Sequence, residues 1–145
     1  MAAFTKFEDF VRELCVGGHN LDGTDTIAIY LAATAAAPSV SADAVKADIA
    51  EIAVAGGYLG FNDATCDTLN TGSEVTGTFT VVGTDRVITA TAAGIAAFQY
   101  VILGNTTPAT PLDPLIGWWD YGSAVTLASG ETFTVDFGAS MFTVA

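Results

Sequence analysis

The stretch Glu131-Thr132-Phe133-Thr134-Val135-Asp136-Phe137 decides the fold class. Phe133, Val135 and Phe137 alternate with Thr132, Thr134 and Asp136, so the apolar side chains go to one face and the polar ones to the other. A period of two is the signature of an antiparallel strand with one face on a core. Working back from it toward Tyr58, Thr- and Val-rich runs recur between Gly, Asn and Asp. They predict strands over residues 66–74, 76–82, 86–90, 98–103, 115–121, 125–127, 132–137 and 141–144. Residues 104–114 hold three of the four prolines and predict a long connection, since proline cannot donate to a ladder.

The N-terminal third has a different rhythm. Phe4, Phe7, Val11 and Leu14 recur at steps of three and four, with Lys6, Glu8, Asp9, Arg12 and Glu13 on the other faces, which predicts an amphipathic helix over residues 4–16. Thr5 and Glu8 have capping-box spacing, and Gly17-Gly18 supplies the left-handed geometry on which helices end. In residues 26–32, Ile27, Ile29 and Leu31 share one face and Ala28, Tyr30 and Ala32 the other, the pattern of a strand covered on both sides. Residues 33–57 read as an Ala-rich arm or a short helix over about 43–53 with the stripe Val45, Ile49 and Ile52. These elements predict a mainly β single domain over residues 1–145. Its expected form is a two-sheet antiparallel sandwich, jelly-roll-like, with an N-terminal amphipathic helix.

Composition narrows the function. Hydrophobic residues make up 51% of the 145 and charged residues only 14%, and the mean hydropathy is +0.50. A surface so poor in charge implies a membrane span or apolar area covered by partners. The longest apolar stretch, residues 27–37, is too short for a span and is interrupted by Thr34, so partner surfaces are expected and a membrane is not. Charges from Lys6 to Glu13 break the region where a signal peptide needs an apolar core, which predicts synthesis in a cytoplasm. The net charge of −12, with Lys6, Arg12, Lys46 and Arg86 the only cations, argues against nucleic acid as a partner.

Motifs for catalysis are lacking. The single histidine, His19, lies in a polar loop and reads as a solvated or capping residue. Asp22-Gly23-Thr24-Asp25 lacks the further oxygen ligands of a calcium loop and reads as a turn. Cys15 and Cys66 have no metal-site spacing and read as reduced, buried residues. No catalytic residue, cofactor-binding residue, metal ligand or cofactor is predicted. The aromatic concentration is Trp118, Trp119 and Tyr121. Strand alternation puts Trp119 with Leu115 and Tyr121, a core set, and Trp118 with Ile116 and Asp120, a mixed set suited to an interface. The expected protein interface is therefore Trp118, Ile116 and Asp120, joined by Phe4, Phe7 and Val11 of the helix.

Several segments together resemble small virion proteins of tailed bacteriophages. They are Gly17-Gly18-His19-Asn20-Leu21, Thr26-Ile27-Ala28-Ile29-Tyr30-Leu31, Val45-Lys46-Ala47-Asp48-Ile49-Ala50-Glu51-Ile52-Ala53, and Gly57-Tyr58. Toward the C-terminus they are Asp113-Pro114-Leu115-Ile116-Gly117-Trp118-Trp119-Asp120-Tyr121-Gly122-Ser123, then Leu127 and the 130–137 run. The resemblance implies a capsid decoration, or cement, protein on the virion exterior. Such a protein binds the major capsid protein as a dimer or trimer and stabilises the head by bridging subunits. A tail, neck or fibre component of the same virion and a carbohydrate-binding sandwich are the alternatives.

Overall fold

A row of side chains crosses the central sheet: Leu31, Val101, Trp119 and Phe4 stand opposite one another on neighbouring strands. The adjacent row is Tyr30, Ile102, Trp118 and Thr5, and by strand alternation it lies on the other face. The computed structural model describes residues 3–68 and 71–145. In it, strands β1 (Phe4–Lys6), β2 (Ile27–Ala32), β6 (Ile95–Asn105) and β7 (Leu115–Leu127) form an antiparallel sheet in the order β1-β7-β6-β2. Strands β3 (Thr71–Val75), β4 (Thr78–Val82) and β9 (Phe142–Val144) form a second sheet in the order β3-β4-β9. Strands β5 (Arg86–Thr89) and β8 (Thr132–Val135) form a two-stranded ribbon. The described chain is mainly β with antiparallel pairing throughout these sheets, and helix α1 (Glu8–Val16) is near the N-terminus.

All six residues of β2 are buried, as expected of a strand covered on both sides. On one face, Trp119 meets Phe4 at 5.1 Å and Phe137 at 5.5 Å between ring centroids, and Phe4 stacks on Phe142 at 4.8 Å. On the other, Tyr30 meets Phe61 at 5.2 Å edge to face, and Trp118 meets Phe7 at 4.5 Å. The 131–137 stretch keeps its alternation: Val135 and Phe137 are buried and Phe133 half-buried, while Thr132, Thr134 and Asp136 are exposed.

Several expectations are corrected. The helix begins at Glu8, not at residue 4, because Phe4–Lys6 pairs with Gly117, Trp118 and Trp119 on the edge of β7. No capping box forms: Phe7 is the N-cap and contributes no side-chain bond, while its own N–H donates to Ile116 O at 3.1 Å. The helix end is as predicted, with Gly17 left-handed at φ 82° and Gly18 N donating to Glu13 O at 2.7 Å. Residues 43–53 are not a helix. They hold one 3-10 turn (Lys46–Asp48) in an extended arm whose backbone bonds other parts of the fold: Ile52 N donates to Leu31 O at 2.9 Å, Lys46 N to Asp113 O at 2.9 Å, and Ala44 O accepts from Leu115 N at 2.9 Å. A helix would spend those groups internally. Cys66 ends a 3-10 turn (Ala64–Cys66), and β3 starts at Thr71; residues 69–70 of the predicted 66–74 strand lie outside the described residues. The two strands predicted at 115–121 and 125–127 are one strand, β7, with a bulge between its pairs Asp120↔Tyr100 and Val125↔Phe98.

The arm also closes an edge. An outer strand such as β2 exposes unpaired backbone groups to any passing strand. Here Ile27 O accepts from Thr68 N at 2.8 Å, Leu31 N donates to the Tyr58 hydroxyl at 3.1 Å, and Glu51 bridges Ala32. The Tyr58 hydroxyl in turn donates to Glu51, whose carboxylate also takes Phe61 N at 2.8 Å and Lys46 Nζ at 2.9 Å. Burial, then the hydrogen bond to Glu51, raises the Tyr58 pKa, so the phenol stays a donor.

Because each face of the central sheet carries a covered tryptophan, Trp118→Ala and Trp119→Ala should both destabilise the isolated chain, by about 3–5 kcal/mol each. Denaturant melts of the two variants measure this, and a Trp118→Ala protein as stable as wild type would show that the Trp118 face is open.

Candidate interaction surface

The residues expected at a partner interface divide. Ile116 and Phe7 are fully buried and Trp118 is 8% exposed, so the fold itself removes them from any surface. The reason is the second cover: Trp118 does face away from Trp119, but Phe7 already occupies that side. Phe4 is half-buried and Val11 exposed, and both line a shallow hollow with Phe10, Leu14 and Phe142. Asp120 is exposed but lies outside that hollow, its carboxylate accepting from Gln99 Nε2 at 2.9 Å and Gly122 N at 2.7 Å.

His19 is buried, contrary to the solvated reading, with its ring 5.3 Å from that of Phe10. Thr107 N donates to Asn105 Oδ1 at 3.0 Å, which fixes the Asn105 amide so that its Nδ2 points to His19 Nδ1 at 3.2 Å and to Asp25 Oδ2 at 2.6 Å. An amide nitrogen only donates, so Nδ1 accepts and the proton sits on Nε2, which has no hydrogen-bond partner among the described residues. Burial drives the His19 pKa down to about 4, against the pull of Asp25 and Asp9. The cluster ties the loop after α1 to the end of β6. The 22–25 segment is the expected turn, with Thr24 N on Asp22 Oδ1 at 3.2 Å. Cys15 is exposed, which corrects its expected burial; Cys66 is buried, and burial raises its thiol to about 11, far from a reactive thiolate. Among the described residues there is no group of three or more His, Cys, Asp or Glu arranged to hold a metal ion, and no helix is long and apolar enough to cross a membrane.

A different surface emerges where the arm meets the start of β6. From Val87 to Leu112 the sequence has no Asp, Glu, Lys or Arg. The fold joins part of this run to residues 53–59 and to the end of β7. Thr91 N donates to Gly56 O at 2.8 Å, and a Cβ on Gly56 (φ 65°) would collide with Gly94 O, so the two backbones touch directly. One hollow of about 590 Å³ is lined by residues such as Ala53, Ala55, Ala92, Gly94, Thr126 and Ser129. A neighbouring one of about 420 Å³ is lined by residues including Leu59, Val87, Thr89 and Thr91. Neither hollow has a charged residue in its lining. Val54 (58% exposed), Leu59 (51%) and Val87 (61%) project from this end. Sequence reasoning followed the tryptophans and passed over these residues; the uncharged run was the signal that marked them.

Comparison with protein-family models, with curated proteins and with solved structures finds no match.

His19 makes stability depend on pH. Below pH 6.5 the unfolded chain binds a proton that the folded chain refuses until about pH 4, so its contribution to stability falls as the pH drops through that window and is level above it. Urea melts at about pH 7 and about pH 5 should show a smaller acid loss for His19→Gln than for wild type; equal losses would show that the His19 site is open to protonation in the native state.

Proposed function

We propose that this chain is a non-enzymatic structural subunit that packs against other protein chains, and that its place is the outside of a tailed-bacteriophage head. The observation that carries the reading is the uncharged end. In a chain with 16 carboxylates, 4 cationic side chains and a net charge of −12, one end presents two adjacent hollows free of charge and projects Val54, Leu59 and Val87. Depletion of charge at the centre of a patch, with polar residues around it, is what marks a protein interface. Exposed aliphatic side chains there are desolvated on association, and the small residues between them let a partner backbone come close.

In the specific form proposed, the chain is a capsid decoration protein that bridges subunits of the major capsid protein as a dimer or trimer. Each bridge adds buried area that must be given up before capsid subunits part under internal pressure, and repetition over a lattice multiplies the effect. The resemblance of the 17–21, 26–31, 45–53, 57–58, 113–123 and 130–137 segments to phage virion proteins supports this form, as does an acidic surface held away from packed DNA. The finer fold reading, a jelly-roll-like sandwich, goes with it: the β3-β4-β9 sheet and the β5-β8 ribbon together act as the second layer, against the Trp119 face of the four-stranded sheet.

The test uses wild type and the double variant Val54→Asp/Leu59→Asp, in light-scattering chromatography and in co-sedimentation with undecorated phage heads. Wild type should be oligomeric or should sediment with heads. The double variant should lose that association by about tenfold or more, since two carboxylates would be desolvated without partners, while its melting temperature stays close to wild type. A monomeric wild type that ignores heads, or a variant that associates normally, would refute the reading.

A further inference from the structure

A further concave site lies on the Trp119 face of the central sheet, where β6 and β7 meet the ribbon strand β8. Val101, Trp119, Phe133 and Val135 wall a groove of about 360 Å³, and Thr134 and Asp136 are its polar lining. Tyr121 stands at its side, 59% exposed, the single aromatic residue among the exposed large apolar side chains of the described chain. Its ring is held edge-on to Phe133 at 5.8 Å, and Phe133 is held in turn by Phe98 at 4.8 Å. Asp136 Oδ1 accepts from Gly138 N at 2.7 Å, which fixes the carboxylate.

We infer that this groove receives an arginine side chain of a protein partner. A guanidinium fits each part of the site by its chemistry. Its flat cation attracts the exposed ring of Tyr121, its N–H groups suit the Asp136 carboxylate, and its aliphatic stem suits the apolar lining. Charge selects for a cation. Among the described residues no Lys or Arg lines the groove. Arg86 is opposite Val135 in the ribbon but outside the lining, and its charge is felt at Cys66. Two of the four cations are already occupied within the chain, Arg12 by Asp9 and Glu13 and Lys46 by Glu51. The net charge of −12 draws a positive group from solution. A sugar ring fits less well: its hydroxyls would face four apolar walls with only Thr134 and Asp136 to meet them.

The inference rests on the reading of the chain as one that packs against other proteins, and it supplies the chemistry of one contact. The experiment titrates N-acetyl-arginine amide, N-acetyl-lysine amide and methyl β-glucoside separately into the isotope-labelled full chain and follows amide resonances by NMR. The arginine probe should give saturable shifts centred on Tyr121, Thr134 and Asp136, stronger than the lysine probe. Tyr121→Ala and Asp136→Asn should each weaken its binding at least about threefold, while Asp22→Asn, far along the chain on another hollow, should not. Shifts scattered over the acidic surface, saturation by the glucoside alone, or no saturable shift in the groove would each overturn the inference. The assay contains only the isolated chain and small probes, so its failure leaves the association test at Val54 and Leu59 untouched, and the converse holds as well.

Discussion

A strand that is apolar on both faces has to be covered twice, and that constraint organises this molecule. Ile27, Ile29 and Leu31 need one layer, and Ala28, Tyr30 and Ala32 need another. The chain provides the first with strands, through Phe142 of β9 and the segment after β8 that carries Phe137. It provides the second with irregular backbone, through Phe61 and Phe7. Irregular chain on a sheet has to find partners for its own polar backbone groups. The arm finds them on the edge of β2 and at the start of β7, and so closes the edge beside the covered face.

Glu51 is where these two tasks meet. Its backbone bridges Ala32, while its carboxylate gathers Tyr58, Phe61 and Lys46. A half-buried carboxylate is costly unless its oxygens are satisfied, and here each oxygen has at least one donor. Removing Glu51 would leave the Tyr58 hydroxyl and Phe61 N–H without their acceptor, so the arm is held as one polar network and not as separate contacts.

The parts of the fold legible in the sequence were those fixed by local pattern. The two-sided alternation of 27–32, the one-sided alternation of 131–137 and the Gly17 helix end each depend on residues a few positions apart. What the sequence did not disclose depends on partners far along the chain. Phe4–Lys6 has helical spacing, yet pairing with Gly117–Trp119 makes it a strand. Residues 43–53 have an apolar stripe and alanines, yet Leu31, Asp113 and Leu115 claim their backbone. The period of two that turns Trp118 away from Trp119 reports which face a residue takes and is silent about irregular chain lying on that face. The burial of His19 has a related cause: the loop that holds it folds back against Phe10 and Asn105, contacts that no local motif encodes. At the uncharged end, the absence of charge from Val87 to Leu112 was visible in the sequence, but joining it to Val54 and Leu59 requires the arm's path.

The contact between Gly56 and Gly94 has a consequence for how that end can change. The joint is made backbone to backbone, with Thr91 N on Gly56 O. Neighbours such as Val54, Leu59, Ala92 and Ala93 therefore carry little of the folding load and point outward. The glycines act as a fixed frame and the surrounding positions as replaceable lettering. One scaffold can thus be re-addressed to a new binding surface by a handful of substitutions, with the architecture beneath left as it was.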